Sequence, residues 1–241
     1  MKISLFLTAQ KTLIFPLLLS ISGSIFAQDE QDPYESFNRR VFAFNEFLDR
    51  YLVKPVAKGY DWITPKPVDD SVTRFFSNLG DLGVGLNNAL QGKFSEAGSD
   101  VVRFTLNTTL GVAGIFDVAT PMGLLKHEED FGQTLAIWGA NQGPYLVLPL
   151  LGPATARSAF GKIPDYFTHP VTYIDDETVR YGLTGLELID KRSDLMEYED
   201  SVSGDKYLFI RDVYLQRREF LVNDGVVEED PFTADDFEDD Y

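Results

Sequence analysis

Cysteine is absent from all 241 residues. That excludes disulfides, zinc ribbons, iron–sulfur clusters, thiol nucleophiles and lipidation of an N-terminal cysteine. Histidine is nearly absent too: His127 and His169 are the only two, and neither sits at the spacing of a paired metal ligand. Positive charge is in deficit, with 21 Lys and Arg against 38 Asp and Glu and a net charge of -17. Nucleic acid is therefore a poor partner, because phosphate binding needs clustered cations to displace counterions. Electrostatic docking on anionic lipid is disfavoured on the same ground. A Gly-x-Ser-x-Gly elbow, a phosphate-cradling glycine loop and a dinucleotide fingerprint are all missing. No series of alternating apolar and polar runs is present, which counts against an outer-membrane β-barrel, and no internal repeat is found.

What the chain does have is apolar and aromatic mass: 44% hydrophobic residues and 19 Phe, enough for one domain with a sizeable core. Aromatics at 13% run rich for a purely soluble protein, so something apolar is expected to contact it. Residues 1–27 read as a secretory signal peptide. Lys2 and Lys11 precede a short apolar run at 13–19, and small residues lead to a cleavage point after Ala27. The run is too short to span a bilayer. Residues 28–222 form the expected helical domain. Residues 223–241 carry nine acidic and no basic side chains, the pattern of a solvated acidic tail.

Helical periodicity dominates the domain. Phe37, Val41, Phe44, Leu48 and Tyr51 recur at helical spacing with Phe47 and Leu52 beside them, predicting an amphipathic helix with an aromatic face and Asn38, Arg39 and Glu46 on the other side. Pro55, Pro65 and Pro67 predict a loop carrying Tyr60 and Trp62. A second helix follows from Val72, Phe75, Phe76 and Leu79, with residues 80–85 loosening the backbone after it, and a third runs through Val101, Val102 and Leu106. Residues 175–190 and 207–222 predict two more helices. Residues 131–156 contain no charge, a length that could cross a bilayer core, but Gly139, Gly143, Pro144, Pro149, Gly152 and Pro153 interrupt it. Such a stretch suggests a hairpin or re-entrant element, or a buried core turn, with a short extended piece at 145–148.

Chemistry is thinly represented. His127-Glu128-Glu129-Asp130 has the composition of a metal cluster, but neighbouring side chains on a helix diverge, so a solvated charged turn is the better reading. No nucleophile stands near an evident base, which leaves hydrolysis without named residues.

Several segments in one order resemble the MlaA (VacJ) family. They begin with Asp32-Pro33-Tyr34-Glu35-Ser36-Phe37-Asn38-Arg39, then Phe75-Phe76-Ser77-Asn78-Leu79 and Asn87-Asn88-Ala89-Leu90-Gln91-Gly92. Arg103-Phe104-Thr105-Leu106-Asn107-Thr108 and Gly114-Ile115-Phe116-Asp117 follow. The last are Glu129-Asp130-Phe131-Gly132-Gln133-Thr134 and Gly143-Pro144-Tyr145-Leu146-Val147-Leu148-Pro149, with Arg157 beyond. The likeness spans about residues 32–222.

This resemblance implies an all-α, ring-shaped bundle of short amphipathic helices embedded in the periplasmic leaflet of the outer membrane and associated with a trimeric porin. It implies a channel by which mislocalised outer-leaflet phospholipids leave for a soluble periplasmic carrier protein, without a cofactor and without chemistry on the lipid. Two alternatives remain, a structural porin-associated envelope protein and a soluble periplasmic lipid carrier. The family's best-known members carry a lipidated N-terminal Cys, which this sequence lacks, so the aromatic belt and residues 131–156 are expected to hold the membrane.

The resemblance also places Phe44 and Asn45 at the channel wall, with Phe44 fitting a plain core or belt position equally well. Gly139 and Gly143 are candidates for a flexible hairpin hinge or for tight turn packing. Arg157 and Lys162 are candidates for headgroup phosphates, against the commoner outcome of exposed surface charge.

Overall fold

The computed structural model describes residues 32–199 and 204–226. The expected signal peptide and nearly all of the acidic tail lie outside these residues. Helix α1, Glu35–Leu48, opens the fold and carries an Arg39–Glu35 ion pair one turn apart at 2.6 Å. It passes without a break through a five-residue π turn, Asp49–Val53, into α2, Lys54–Ile63. Pro55 sits in the first turn of α2, and the wide turn opens the hydrogen-bond ladder just where proline has no N–H to give. Tyr60 and Trp62 are therefore on a helix, not in the loop that the three prolines suggested. Only Thr64-Pro65 breaks the chain, because a residue before proline is driven into extended backbone.

Helix α3, Lys66–Leu90, is a single 25-residue element. The expectation that residues 80–85 loosen the backbone is corrected here. Gly83 and Gly85 serve close packing: a Cβ on Gly83 would stand 3.0 Å from the Thr168 hydroxyl, and one on Gly85 would stand 3.3 Å from Asp100. A tight turn, with Gly92 at φ 83°, reverses the chain into α4, Phe94–Thr109.

After a turn at 110–114 and a short 3-10 segment, Thr120–Met122, comes α5, Phe131–Ile137, capped by the Asp130 carboxylate on the Gln133 amide at 2.8 Å. Strands β1, Tyr145–Leu148, and β2, Gly152–Thr155, pair antiparallel with Tyr145 opposite Thr155 and Leu148 opposite Gly152. The uncharged segment is thus a short helix followed by a β-hairpin, and the fold is mostly helical with this one two-stranded addition. Helix α6, Ala156–Thr168, starts at a capping box of Thr155 and Ser158. Helices α7, Glu177–Met196, and α8, Lys206–Val222, start on Asp176 and Asp205 caps. Among the described residues no helix is long and apolar enough to cross a membrane.

Packing runs round a circuit. Helix α1 lies on β1, the hairpin on α6, α6 and α5 on α3, α3 on α7, α7 on α2, and the π turn returns α2 to α1. Helix α4 lines α3, and α8 covers α5 and the hairpin. The main apolar cluster, Val41, Tyr145, Val147 and Tyr207, sits where α1, β1 and α8 meet.

Polarity elsewhere is turned round. Among the described residues eleven buried side chains are apolar and sixteen are polar or charged, whereas Trp62, Phe94 and Phe160 are 86%, 75% and 70% exposed. Each large apolar side chain left in water forgoes ~1.5–3 kcal/mol of burial, so a surface this apolar argues for a non-aqueous neighbour. Helix α1 shows the inversion locally. Asn38, Val41 and Asn45 turn inward while the aromatic face, Phe44, Phe47 and Tyr51, turns out. The sequence pattern places Asn38 on the side opposite the aromatics, and that side of the helix is the inner one at this position. Asn38 is fully buried.

Candidate functional site

The hairpin is held to α1 by two amides seven residues apart, on one face of the helix. Asn38 Nδ2 donates to the Tyr145 carbonyl at 3.0 Å and Asn38 Oδ1 accepts from the Val147 amide at 2.9 Å. Asn45 repeats the arrangement at the turn, donating to the Leu148 carbonyl at 3.0 Å and accepting from the Leu150 amide at 2.9 Å. These side chains stand where a third strand would, and they satisfy backbone groups on the free edge of β1. Asn45 thus spends its amide on positioning the hairpin tip, whose Leu150 and Leu151 are exposed. Phe44, next to it, is half exposed on the outer face.

Across the circuit a polar network fills the space between α3, α4, α5 and α6. Asn88 donates to Asp100 at 2.8 Å, and Asp100 meets the His127 ring at 2.7 Å. Asn87 accepts from Thr134 at 2.8 Å and donates to Asp165 at 3.3 Å, while Asp165 accepts the Phe131 amide at 3.0 Å. Burial pushes the Asp165 carboxyl up, against those hydrogen bonds and Lys162. Arg103 reaches Thr120 at 2.8 Å, the Leu124 carbonyl, and Asp81 and Asp117 at 3.5 and 3.3 Å. Partial burial would raise Asp117, but hydrogen bonds from Thr120 and Asn107 and the Arg103 charge prevail and hold it down to about 2. His127, Glu128, Glu129 and Asp130 turn to Asp100, Arg217, Lys93 and Arg218 respectively. No group of three or more acidic or imidazole side chains able to hold a metal occurs among the described residues.

The remaining sequence candidates gather around α6. Arg157 is half-buried and donates from Nη1 to the Ala140 carbonyl at 2.9 Å, while its Nε is buried with no partner. Burial and the neighbouring Arg218 charge pull its guanidinium below the usual value. Lys162 is exposed on α6 among Phe160, Ile163, Tyr166 and Phe167, all of them exposed. That is the pattern of an ammonium carried over an apolar surface.

Gly139 ends α5. Its own N–H bonds the Ala136 carbonyl and the Ala140 N–H bonds the Leu135 carbonyl, a helix-terminating pair that needs the φ of 89° found there. Gly143 has a φ of 69°, and a Cβ on it would come 2.7 Å from the Ala156 Cβ, so close packing and turn geometry both act at this position. Sequence reasoning missed Asn38 as a hairpin anchor and missed Arg218, which pairs with Asp130 at 2.5 and 3.0 Å. The only available signal for the first was the spacing of two Asn on an otherwise aromatic helix.

The profile of the MlaA lipoprotein family matches residues 30–221. This chain belongs to the MlaA family. The intermembrane phospholipid transport system lipoprotein MlaA of Escherichia coli K12 is 35% identical over 204 residues, covering 82% of this chain and 81% of that protein. An uncharacterized protein of Rickettsia typhi is 38% identical over 195 residues, 79% of this chain and 78% of its own length. A solved structure concerned with the maintenance of bacterial outer membrane lipid asymmetry superposes with a TM-score of 0.70 at 33% identity. The superposition covers 80% of this chain and 99% of that one.

The geometry explains the segments by which the MlaA resemblance was first seen. Asn38 from the opening segment meets Tyr145 and Val147 from the Gly143–Pro149 segment. Asn87, Asn88, Gln91, Arg103, Asn107, Asp117, Glu129 and Thr134 all belong to the polar network. These residue types are needed because each buried polar group must find its partner within the ring.

Proposed function

We propose that this chain is the outer-membrane component of a lipid-asymmetry system, giving mislocalised outer-leaflet phospholipids a passage through its ring to a soluble periplasmic carrier protein. The observation that carries this reading is the inverted polarity: aromatic and aliphatic side chains outside, hydrogen-bonded amides, carboxylates and guanidinium within. A body with that distribution sits in one leaflet, on the periplasmic side, and offers a headgroup polar contacts that bare hydrocarbon lacks. Transport needs no bond of the lipid to break. The outer apolar surface is also the face for a trimeric porin, and the exposed aromatic belt holds the protein in the membrane, since these residues offer no thiol for acylation.

In this reading Asn45 acts on the passage by fixing the hairpin tip, and Phe44, turned out beside it, belongs to the apolar belt. Arg157 and Lys162 meet headgroup phosphates, and Gly139 and Gly143 set the loop at its mouth. The test is a strain lacking the gene, scored for phospholipid accessible at the cell surface. Surface phospholipid should rise and fall again on complementation. An unchanged leaflet composition with porin binding intact would overturn the proposal in favour of a structural role.

A further inference from the structure

At the start of α6, among the described residues, one cation and one anion are left without an ionic partner beside an arginine and an aspartate that are paired. Arg218 takes Asp130 in a two-bonded pair at 2.5 and 3.0 Å, leaving no carboxylate for Arg157 beside it. Among the described residues Arg157 bonds only the Ala140 carbonyl, and its buried Nε has no acceptor. Arg157 feels the Asp130 charge only at a distance and shares it with Arg218, so a half-buried guanidinium is left under-neutralised and an anion would relieve it.

Arg157 lines a cleft of about 500 Å³ between Gln142 and Gly143, the start of α6 and the C-terminal part of α8. Glu219 lines the same cleft, makes no ion pair among the described residues, and does not meet Arg157. Gln142 and Asn223 add amides, and Leu215 and Val222 add an apolar wall. The first N–H groups of α6 are already spent on the Pro144 and Gln142 carbonyls, so the helix terminus contributes nothing and the guanidinium supplies the positive charge.

Two opposite charges that share a cleft without joining fit a ligand that carries both. We propose that this cleft binds a phosphoethanolamine group, with Arg157 on the phosphate and Glu219 on the ammonium. The inference rests on the lipid-passage reading and adds to it a headgroup class and a place where the headgroup pauses. Arg offers the phosphate two parallel N–H donors, which a lysine could not. Preference for ethanolamine over glycerol headgroups then comes from Glu219, which has nothing to pair with when the ammonium is missing.

The experiment is calorimetric titration of the purified full chain in detergent with dihexanoyl-phosphatidylethanolamine, dihexanoyl-phosphatidylglycerol and inorganic phosphate. The ethanolamine lipid should bind about tenfold more tightly than the other two. Arg157→Gln should weaken both lipids about tenfold, with Arg157→Lys recovering part of the loss. Glu219→Gln, at an exposed position where folding is not at stake, should erase the preference while leaving phosphatidylglycerol unchanged. Inorganic phosphate binding as tightly as the ethanolamine lipid would mark a free-phosphate site and overturn the proposal. So would equal affinity for the two lipids, or Arg157→Gln protein of unchanged melting temperature that keeps full affinity. Surface phospholipid in a strain carrying Arg157→Gln separates the two levels. If the gene is needed for asymmetry but the variant keeps its affinity, only this site fails; if the gene is not needed, the passage reading fails regardless of the titration.

Discussion

The two sides of the ring bury different chemistry. Where α1, the hairpin and α8 meet, Val41, Tyr145, Val147 and Tyr207 form an ordinary apolar core that two asparagines trim at its edge. Along α3 and α4 the buried positions include Phe76, Val84 and Ala97 but are dominated by Asp81, Asn87, Asn88, Asp100, Arg103 and Asn107. Apolar burial specifies an inside only when the outside is water. Against lipid it separates nothing, and hydrogen bonds must do the specifying. The polar side is therefore expected to tolerate truncation far less well than the apolar one.

The sharpest way to break that contrast is Arg103→Ala beside Val147→Ala. Loss of Arg103 leaves Asp81 on Lys126 alone, takes the neighbouring cation from Asp117 and frees the Leu124 carbonyl, and should cost about 3–4 kcal/mol of unfolding free energy. Loss of two methyl groups at Val147 should cost only about 1–2 kcal/mol in the same denaturant titration. Equal costs would mean that the network is decoration on a conventional core.

How much of this contrast was legible in the sequence depends on how far apart the partners are. The helix at 35–48 and the extended piece at 145–148 were readable because period and local composition carry them, but the face was not: the stripe of Phe37, Val41 and Phe44 is split, with Val41 turned in and Phe44 out. Glycines at 83 and 85 were not, since a small residue for close packing and one for flexibility look alike until Thr168 and Asp100 are beside them. Nor could periodicity foresee the π turn that lets α1 and α2 run on past Pro55. The role of Asn45 depends on backbone atoms 103 and 105 residues away, and the uncompensated charge of Arg157 depends on Arg218 having taken Asp130.

The amide clamp supplies the next test, because it joins the two regimes. Asn38→Ala leaves the Tyr145 carbonyl and the Val147 amide unpaired in a dry place and should cost about 2–3 kcal/mol. Asn45→Ala, at the partly exposed turn, should cost about 1 kcal/mol and show itself as faster amide exchange at Leu150 with slow exchange kept at Val147. The two loop glycines divide similarly. Gly143→Ala meets both the Ala156 Cβ and an unfavourable φ and should destabilise by about 2 kcal/mol. Gly139→Ala has open space and loses only about 1 kcal/mol from its φ. If Gly139 acts as a hinge as well, its alanine variant will slow lipid passage more than its small stability loss explains.

The smallest effect comes from acid, and it has opposite signs within the one polar network. Asp117 is held at about 2, below its ordinary value of 3.8, so its contribution is complete above pH 4 and is lost as pH falls toward 2. Asp165 is raised by burial, so the folded state takes up its proton first and stability gains as pH drops from neutral through that raised value. The melting temperature should therefore climb slightly on mild acidification and then decline below pH 4, the acid limb by about 1 kcal/mol or a few degrees in a chain of this size. Asp117→Asn should flatten the acid limb and leave the mild-acid rise, and Asp165→Asn should do the reverse. A single monotonic loss from pH 7 downward in both variants would mean that these carboxylates sit in water and not in the network, and the distinction between the two sides of the ring would go with it.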